Sequence, residues 1–226
     1  MKKLLAIPLA IIAAILIASA ASASSTVTVT PANPQGWSTS DTRTGGAVNF
    51  IADATAPGGT GALQLTTTDD NAAKAQYLHA ANVALADVSE LSYQTKQNAP
   101  AASVADPSYQ VAVELDGTAA TFTNLVFEPY WNTTGNPTNG VWQTWNVAAG
   151  NFWSSGTKAD PNNAACTVSS GAGGPPFYTL AQLQTDCPNA VVVGFGVNVG
   201  TYNAGYDVET DLVDFNGTTY DFEQNP

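Results

Sequence analysis

The feature that most constrains the fold is a run of alternating apolar and polar residues between positions 109 and 147. It contains three segments with a period of two, at residues 109–116, 121–128 and 141–147. Successive side chains of a β-strand point to opposite faces, so each segment has one face for a core and one face left over. The pattern therefore predicts three neighbouring strands at the centre of the fold.

The same pattern, interrupted by glycine, proline and asparagine, recurs along the rest of the chain. It predicts further short strands at residues 26–30, 47–52, 62–67, 74–78, 91–96, 190–199, 208–215 and 218–223. The Asn216-Gly217 pair between the last two segments is typical of a type I′ hairpin turn. One short helix is predicted at residues 180–186, because Thr179 is a favourable N-cap and Pro188 cannot continue a helix. The sequence therefore predicts an all-β fold, an antiparallel β-sandwich of the jelly-roll type.

Two local expectations follow from the same reasoning. In the segment at 190–199, alternation predicts one face formed by Val191, Val193, Phe195, Val197 and Val199. Residues 154–176 show no alternation, and we expect them to be irregular.

The first 23 residues have the composition of a secretory signal peptide. Lys2 and Lys3 precede an apolar run over residues 4–18, and Ala21-Ser-Ala23 matches a small-residue cleavage site. An uncleaved anchor is the alternative, although the run is short for a membrane span. We expect residues 24–226 to form a single β-sandwich domain without a membrane span. The expected location is extracellular, with retention at the cell surface left open.

The charge balance restricts the partners. The formal net charge is −12, from 6 basic and 18 acidic residues. Such a surface repels nucleic acid and anionic membranes, so we predict no nucleic-acid partner. Charged residues are still only 11% of the chain, which suits either uncharged polar partners or simple solubility.

The chain has two cysteines, Cys166 and Cys187. A small even number of cysteines in an exported chain predicts one disulfide. Closing a loop of this length stabilises the folded state by about 3 kcal/mol in the chain-entropy model.

The outer faces of the predicted strands carry the candidate binding residues. If the strands lie side by side, these faces collect amide, carboxylate and indole side chains, from Gln94, Gln110, Glu114, Glu128, Trp142, Asn146 and Asn198. Aromatic rings stack on sugar rings and planar polar groups bind hydroxyls, so this set predicts a groove for a polysaccharide or cell-surface glycan. Three further indoles, those of Trp37, Trp131 and Trp153, could form its rim or anchor loops. The alternative explanation is an ordinary solvated sheet face.

Two of these acids also suggest a catalytic alternative. Glu114 and Glu128 could act as a carboxylate pair in a glycoside hydrolase or lyase. Glu114-Leu-Asp116 resembles the first half of the E-x-D-x-x-E motif of sandwich-fold retaining glucanases, but residues 117–121 supply no third acid. The sequence therefore favours binding over catalysis.

The C-terminal part of the chain is rich in acids. Carboxylate oxygens suit Ca²⁺, which makes Asp211, Asp214 and Asp221 the candidate ligands of a structural calcium ion. No EF-hand spacing is present, and acids on strand edges also serve to block aggregation. No other cofactor is predicted.

Several motifs together resemble a group of bacterial exported β-sandwich proteins, found among actinobacterial and PEP-CTERM-type surface proteins. They are Arg43-x-Gly45-Gly46, Leu91-Ser-Tyr93, Phe127-Glu-Pro-Tyr130, Trp142-x-x-Trp145 and Tyr220-Asp-Phe-Glu223. The resemblance implies a concanavalin-like or carbohydrate-module-like jelly roll and no established activity. We therefore expect a secreted, non-enzymatic carbohydrate-binding protein. The alternative is a structural or adhesive envelope protein without a small ligand.

Overall fold

The computed structural model describes residues 24–99, 106–133 and 137–225, and these form two large β-sheets packed face to face. The predicted signal peptide lies outside the described residues. The all-β sandwich with one short helix near residue 180 is confirmed. No helix in these three described ranges is long and apolar enough to cross a membrane.

The elements are short, as expected for a sandwich. In chain order the strands are β1 Ser25–Val29, β2 Trp37–Ser38, β3 Gly46–Ala52, β4 Gly61–Thr67, β5 Ala75–Ala84, β6 Leu91–Ala99, β7 Ser108–Glu114, β8 Phe122–Phe127, β9 Gln143–Asn146, β10 Asn151–Ser154, β11 Lys158–Asp160, β12 Asn163–Val168, β13 Tyr178–Thr179, β14 Val191–Val199, β15 Asp207–Phe215 and β16 Thr218–Phe222. The α-helices are α1 Pro129–Asn132 and α2 Leu180–Asp186.

The first sheet, called sheet I, has the strand order β13-β10-β8-β7-β14-β5-β2. Its neighbours pair antiparallel, and β7 lies between β8 and β14. The second sheet, called sheet II, places β6 between β9 and β15. The other edge of β15 is shared, because its first half pairs with β4 and its last residues pair with β16. Beyond these lie β3 and, in parallel with β16, β1.

The core between the sheets is aromatic and aliphatic. Tyr93 of sheet II packs against Tyr109 of sheet I, with ring centroids 5.5 Å apart. Both hydroxyls donate to backbone carbonyls, Tyr93 to Pro107 at 2.6 Å and Tyr109 to Asp214 at 2.8 Å. A buried tyrosine without such a bond would lose about 1–3 kcal/mol, so these bonds allow large rings at the centre. The alternation along β7 is therefore a true core pattern, as the sequence predicted.

The predicted face of β14 is wrong over its first half. A bulge between Val192 and Gly194 interrupts the ladders to both neighbouring strands. An extra residue in a bulge reverses which side chains face inward. Consequently Val192 is buried, while Val191 and Val193 are only partly buried on the outer side. Beyond the bulge the predicted phase holds, because Phe195 packs into the core.

The region expected to be irregular contains the antiparallel pair β11 and β12. Its strands are too short and too polar to show an alternating signal. The predicted disulfide is confirmed: Cys166 in β12 is bonded to Cys187, with Cα atoms 4.7 Å apart. Cys187 follows α2, so the bond fastens this helix to the small hairpin.

Both local signals in the C-terminal part of the chain are confirmed. The Thr179 hydroxyl accepts a bond from the Gln182 N–H at 3.2 Å and caps α2. Asn216 and Gly217 have φ values of +54° and +84° between β15 and β16. Two consecutive positive φ values are the signature of a type I′ turn.

Candidate functional site

The predicted binding residues lie on two opposite surfaces rather than one. Gln110 and Asn198 lie on the outer face of sheet I, whereas Gln94 and Asn146 lie on the outer face of sheet II. The expectation that the strands carrying these residues lie side by side in one sheet is wrong, because β6 pairs with β15 and β9, and neither β6 nor β9 pairs with β7. The reason is non-local: period-two alternation assigns a face to each residue and cannot assign a strand to a sheet.

On sheet II, Trp142 is held by an ion-pair network. Its Nε1 donates to an Asp53 carboxylate oxygen at 3.2 Å, and the Lys96 ammonium lies 5.2 Å from its ring centroid. Lys96 also pairs with Asp53 and, at 3.0 Å, with Glu209. Although burial opposes it, the bonds from Lys96 and Thr55 hold the pKa of Asp53 below its usual range. This indole is thus engaged in structural contacts.

On sheet I, three predicted residues line one cleft. Its volume is about 710 Å³, and we call it the main cleft. Gln110, Glu128 and Asn198 all border it, together with Trp131 and Trp153. The sequence identified these five side chains, but not that they surround one space. Trp37, the third indole proposed for a rim, is instead buried in the core against Tyr77.

The floor of the main cleft presents amide groups. Gln110 stands between Val126 and Gly196 in the strand register and is only 9% exposed. Its side-chain amide has no hydrogen-bond partner within the described ranges. Asn198 donates its Nδ2 to the Gln76 Oε1 at 3.0 Å, which fixes the orientation of the amide. The Gln110 amide is therefore open to hydrogen bonds with a ligand that reaches the floor of the cleft.

Two carboxyl groups border the same space. Burial raises the pKa of Glu128 to about 7, against the opposing effect of the nearby Trp153 and Trp131 indoles. Burial likewise raises the pKa of Asp106 to about 6, although the Thr95 hydroxyl bonds one of its oxygens at 2.7 Å. The other oxygen, Oδ1, is buried without a partner in the described chain. Both groups therefore exchange protons near neutral pH.

Exposed aromatic rings form the rim. Tyr130 and Trp131 lie 4.7 Å apart, and the Trp131 Nε1 donates to the Gly173 carbonyl at 2.8 Å. Tyr202 is 83% exposed and has a φ of +67°. A bulky residue in the left-handed region is uncommon and costs about 1–2 kcal/mol. The loop between β14 and β15 thus holds this ring outside the core at an energetic cost.

Sequence reasoning missed Asp106 and Tyr202. Both lie outside the alternating segments, Asp106 just before β7 and Tyr202 in the loop after β14. An aromatic residue in a short loop bounded by Gly200 and Gly205 is a usable signal for Tyr202. No local pattern marks Asp106.

The structure does not bring the two predicted catalytic acids together. Glu114 pairs with Phe122 at one end of β8, and Glu128 follows the other end. Six residues of extended strand separate these two ends, which is about 20 Å. Paired carboxylates in glycoside hydrolases lie about 5–9.5 Å apart. Asp116, the second acid of the partial motif, accepts bonds from Thr118 and Thr121 in a turn.

The candidate calcium ligands bind groups of the chain itself. Asp211 accepts bonds from the N–H groups of Gly58 and Phe222, both at 3.0 Å. Asp214 accepts from the Gly217 N–H and the Thr219 hydroxyl. Asp221 has one buried oxygen without a partner. Within the described ranges, no three histidine, cysteine or acidic side chains form a group able to hold a metal. A calcium site stays a prediction.

Neither a family model nor a curated protein sequence matches this chain. Among solved structures, it is similar to a family 11 carbohydrate-binding module from Clostridium thermocellum, in complex with a β-1,3-1,4-mixed-linked tetrasaccharide. The identity is 11% and the TM-score 0.44, over 84% of this chain and 92% of the module. A second structure is the family 11 module of the cellulosomal cellulase Lic26A-Cel5E of the same organism. It has 10% identity and a TM-score of 0.43, over 84% of this chain and 91% of that one.

Fold and site together define a class. The protein is a β-sandwich with an aromatic-rimmed cleft on the outer face of one sheet, and amide and carboxyl groups line that cleft.

Proposed function

We propose that the protein is a secreted, non-enzymatic carbohydrate-binding module that holds a polysaccharide or cell-surface glycan in the main cleft. The observation that carries the proposal is the amide of Gln110, which has no side-chain partner among the described residues, on a floor rimmed by the exposed rings of Tyr130, Trp131 and Tyr202. Sugars offer hydroxyl groups that both donate and accept, which an amide can match with its two ends. They also offer apolar ring faces, on which aromatic side chains stack.

Charge supports an uncharged ligand. Asp106 and Glu128 border the main cleft, and among its described lining residues the one basic side chain is Arg43. Arg43 is oriented toward Asp41 at 4.0 Å. An anionic polymer would meet two carboxyl groups, which repel it when ionised, and one arginine at 4.0 Å from Asp41. A neutral glycan avoids this repulsion.

The remaining parts of the proposal have separate support. The separation of Glu114 from Glu128 supports binding without catalysis. The disulfide and the predicted signal peptide support a location outside the cell. The resemblance to bacterial exported surface proteins rests on the sequence motifs alone, and it would place the glycan in the extracellular environment or on a cell surface.

Two glutamines provide a matched test of the site. We expect Gln110→Ala to weaken binding to the best ligand on a polysaccharide and glycan array about tenfold, because the ligand loses hydrogen bonds in a buried place. Gln94→Ala, the same change on the outer face of sheet II, should bind as the wild type does. The measurement is isothermal titration with purified chain. Equal loss in both variants, or none in Gln110→Ala, would place the site elsewhere. A wild-type chain that binds nothing on the array refutes the proposed function.

The rim is tested at Tyr202. We expect Tyr202→Gly to weaken glycan binding about tenfold, because a stacking ring is lost. Its free energy of unfolding should stay unchanged or rise by up to about 1 kcal/mol, because glycine adopts a positive φ without strain. Tyr202→Phe keeps the ring and should keep binding. Unchanged binding by Tyr202→Gly, measured by titration alongside urea unfolding, removes this ring from the site.

A further inference from the structure

A second cavity opens on the same outer face of sheet I. Its volume is about 420 Å³, and we call it the distal cavity. Gln110 lines both this cavity and the main cleft. The two spaces therefore meet over the floor of β7 rather than on separate surfaces.

The distal cavity repeats the chemistry of the main cleft. Phe122 is 41% exposed at its edge. Asn124, two residues further along β8, has a side-chain amide without a hydrogen-bond partner in the described chain. On the opposite wall the hydroxyls of Ser38 and Ser40 are 2.9 Å apart. Gly194 adds no side chain to the floor, where a Cβ would approach the His79 carbonyl oxygen to 3.1 Å.

Exposed apolar side chains concentrate along these two spaces. In the described part of the chain, the large hydrophobic residues with high exposure are Phe122, Tyr130, Trp131, Val141 and Tyr202. All except Val141 line the main cleft or the distal cavity. Large apolar groups that cluster on an otherwise polar surface mark a binding site.

We propose that the main cleft and the distal cavity form one groove for an internal stretch of an unbranched, neutral polysaccharide, which crosses Gln110. This inference rests on the proposed function. The lining residues extend from β10 to β2, which are five inter-strand spacings apart, about 24 Å. Such a length exceeds one sugar ring. Asp106 and Glu128 border the groove, and their ionised forms disfavour an anionic chain, whereas Asp41 is paired with Lys74.

The test compares short and long probes by titration. The probes are disaccharides and hexasaccharides of unbranched glucan, xylan and mannan. A hexagalacturonate serves as the anionic counterpart of the hexasaccharides. We expect the preferred hexasaccharide to bind at least about tenfold more tightly than its disaccharide, and the hexagalacturonate to bind more weakly than both. Phe122→Ala should reduce hexasaccharide affinity about tenfold and leave disaccharide affinity unchanged, because the shorter probe does not reach the distal cavity.

Val141→Ala, which removes an exposed apolar group elsewhere, should retain wild-type affinity for every probe. Asn124→Ala provides a second distal variant if Phe122→Ala does not fold, as judged by circular dichroism. Equal affinity of the wild type for disaccharide and hexasaccharide would overturn the extended groove while leaving the proposed function intact. Preference for the hexagalacturonate would overturn the neutral ligand. Absence of binding to any glycan on the array would instead refute the proposed function itself.

Discussion

Raising the pH from about 5 to 8 is expected to lower the free energy of unfolding by several kcal/mol. Burial raises the pKa of Asp211 to about 7, although the backbone N–H groups that bond to it oppose the rise. Glu128 and Asp106 are shifted in the same direction. The folded chain therefore holds protons that the unfolded chain has already released, and stability falls as the pH rises through this window. Between about pH 5 and pH 7, Asp211 alone lowers the free energy of unfolding by about 3 kcal/mol, because each pKa unit corresponds to about 1.4 kcal/mol.

At low pH the free energy of unfolding should instead fall as the pH is lowered. The pKa of Asp53 is held low in the folded state, so its contribution to stability is lost below about pH 4, as protons displace Lys96. Stability should therefore peak on the mildly acidic side of neutrality. The measurement is urea unfolding followed by tryptophan fluorescence at several pH values.

The variant Asp211→Asn isolates the main contributor. The amide is neutral at every pH, so the decline between about pH 5 and 8 should become shallower. The variant should also be less stable than the wild type at about pH 5, because an amide cannot accept both backbone bonds from Gly58 and Phe222. Asp69→Asn, a change at an exposed loop position, should keep the wild-type slope. A wild-type stability that is flat or rises with pH contradicts the prediction.

Removal of the disulfide should produce a second large effect. Cys166→Ala combined with Cys187→Ala is expected to lower the free energy of unfolding by about 3 kcal/mol, because the unfolded chain gains the freedom of a 21-residue loop. Both cysteines are buried, so the loss includes some packing of α2 against β12. Urea unfolding with and without a reductant measures it.

The reductant separates the bond from the packing. Reduced wild type should approach the double alanine variant in stability, whereas the reductant should not change the double variant. Equal stability of oxidised and reduced wild type would show that the bond contributes nothing. A loss in the double variant that far exceeds the loss on reduction would assign the effect to packing.

Alternation along single strands predicted much of the candidate site. Gln110 follows Tyr109, whose ring enters the core, so a period of two was enough to place the amide outside. The same reasoning placed Glu128 and Asn198 correctly on an outer face. Local turn and capping chemistry likewise predicted the hairpin at Asn216 and the start of α2.

Sheet membership could not be predicted in this way. Whether β6 lies beside β7 or β15 depends on contacts between residues more than 100 positions apart, such as Lys96 with Glu209. For this reason the prediction that Gln94 and Trp142 share a surface with Gln110 was wrong. The face of β14 was predicted wrongly over its first residues because a bulge reverses it there. A bulge adds a single unpaired residue, which leaves no mark on the composition. Asp106 is a candidate site residue because it is buried beside the main cleft, and the sequence around it does not predict that burial.

The pairing of β1 with β16 has a consequence for the order of folding. Ser25 pairs with Thr218, so the first described strand finds its partner 193 positions further along the sequence. β4 and β6 also need β15 to complete their ladders. Contacts between such distant segments form slowly, because long loops must close first. Sheet II therefore remains incomplete until residues 218–222 have been synthesised, which suits a chain whose proposed place of work is outside the cell.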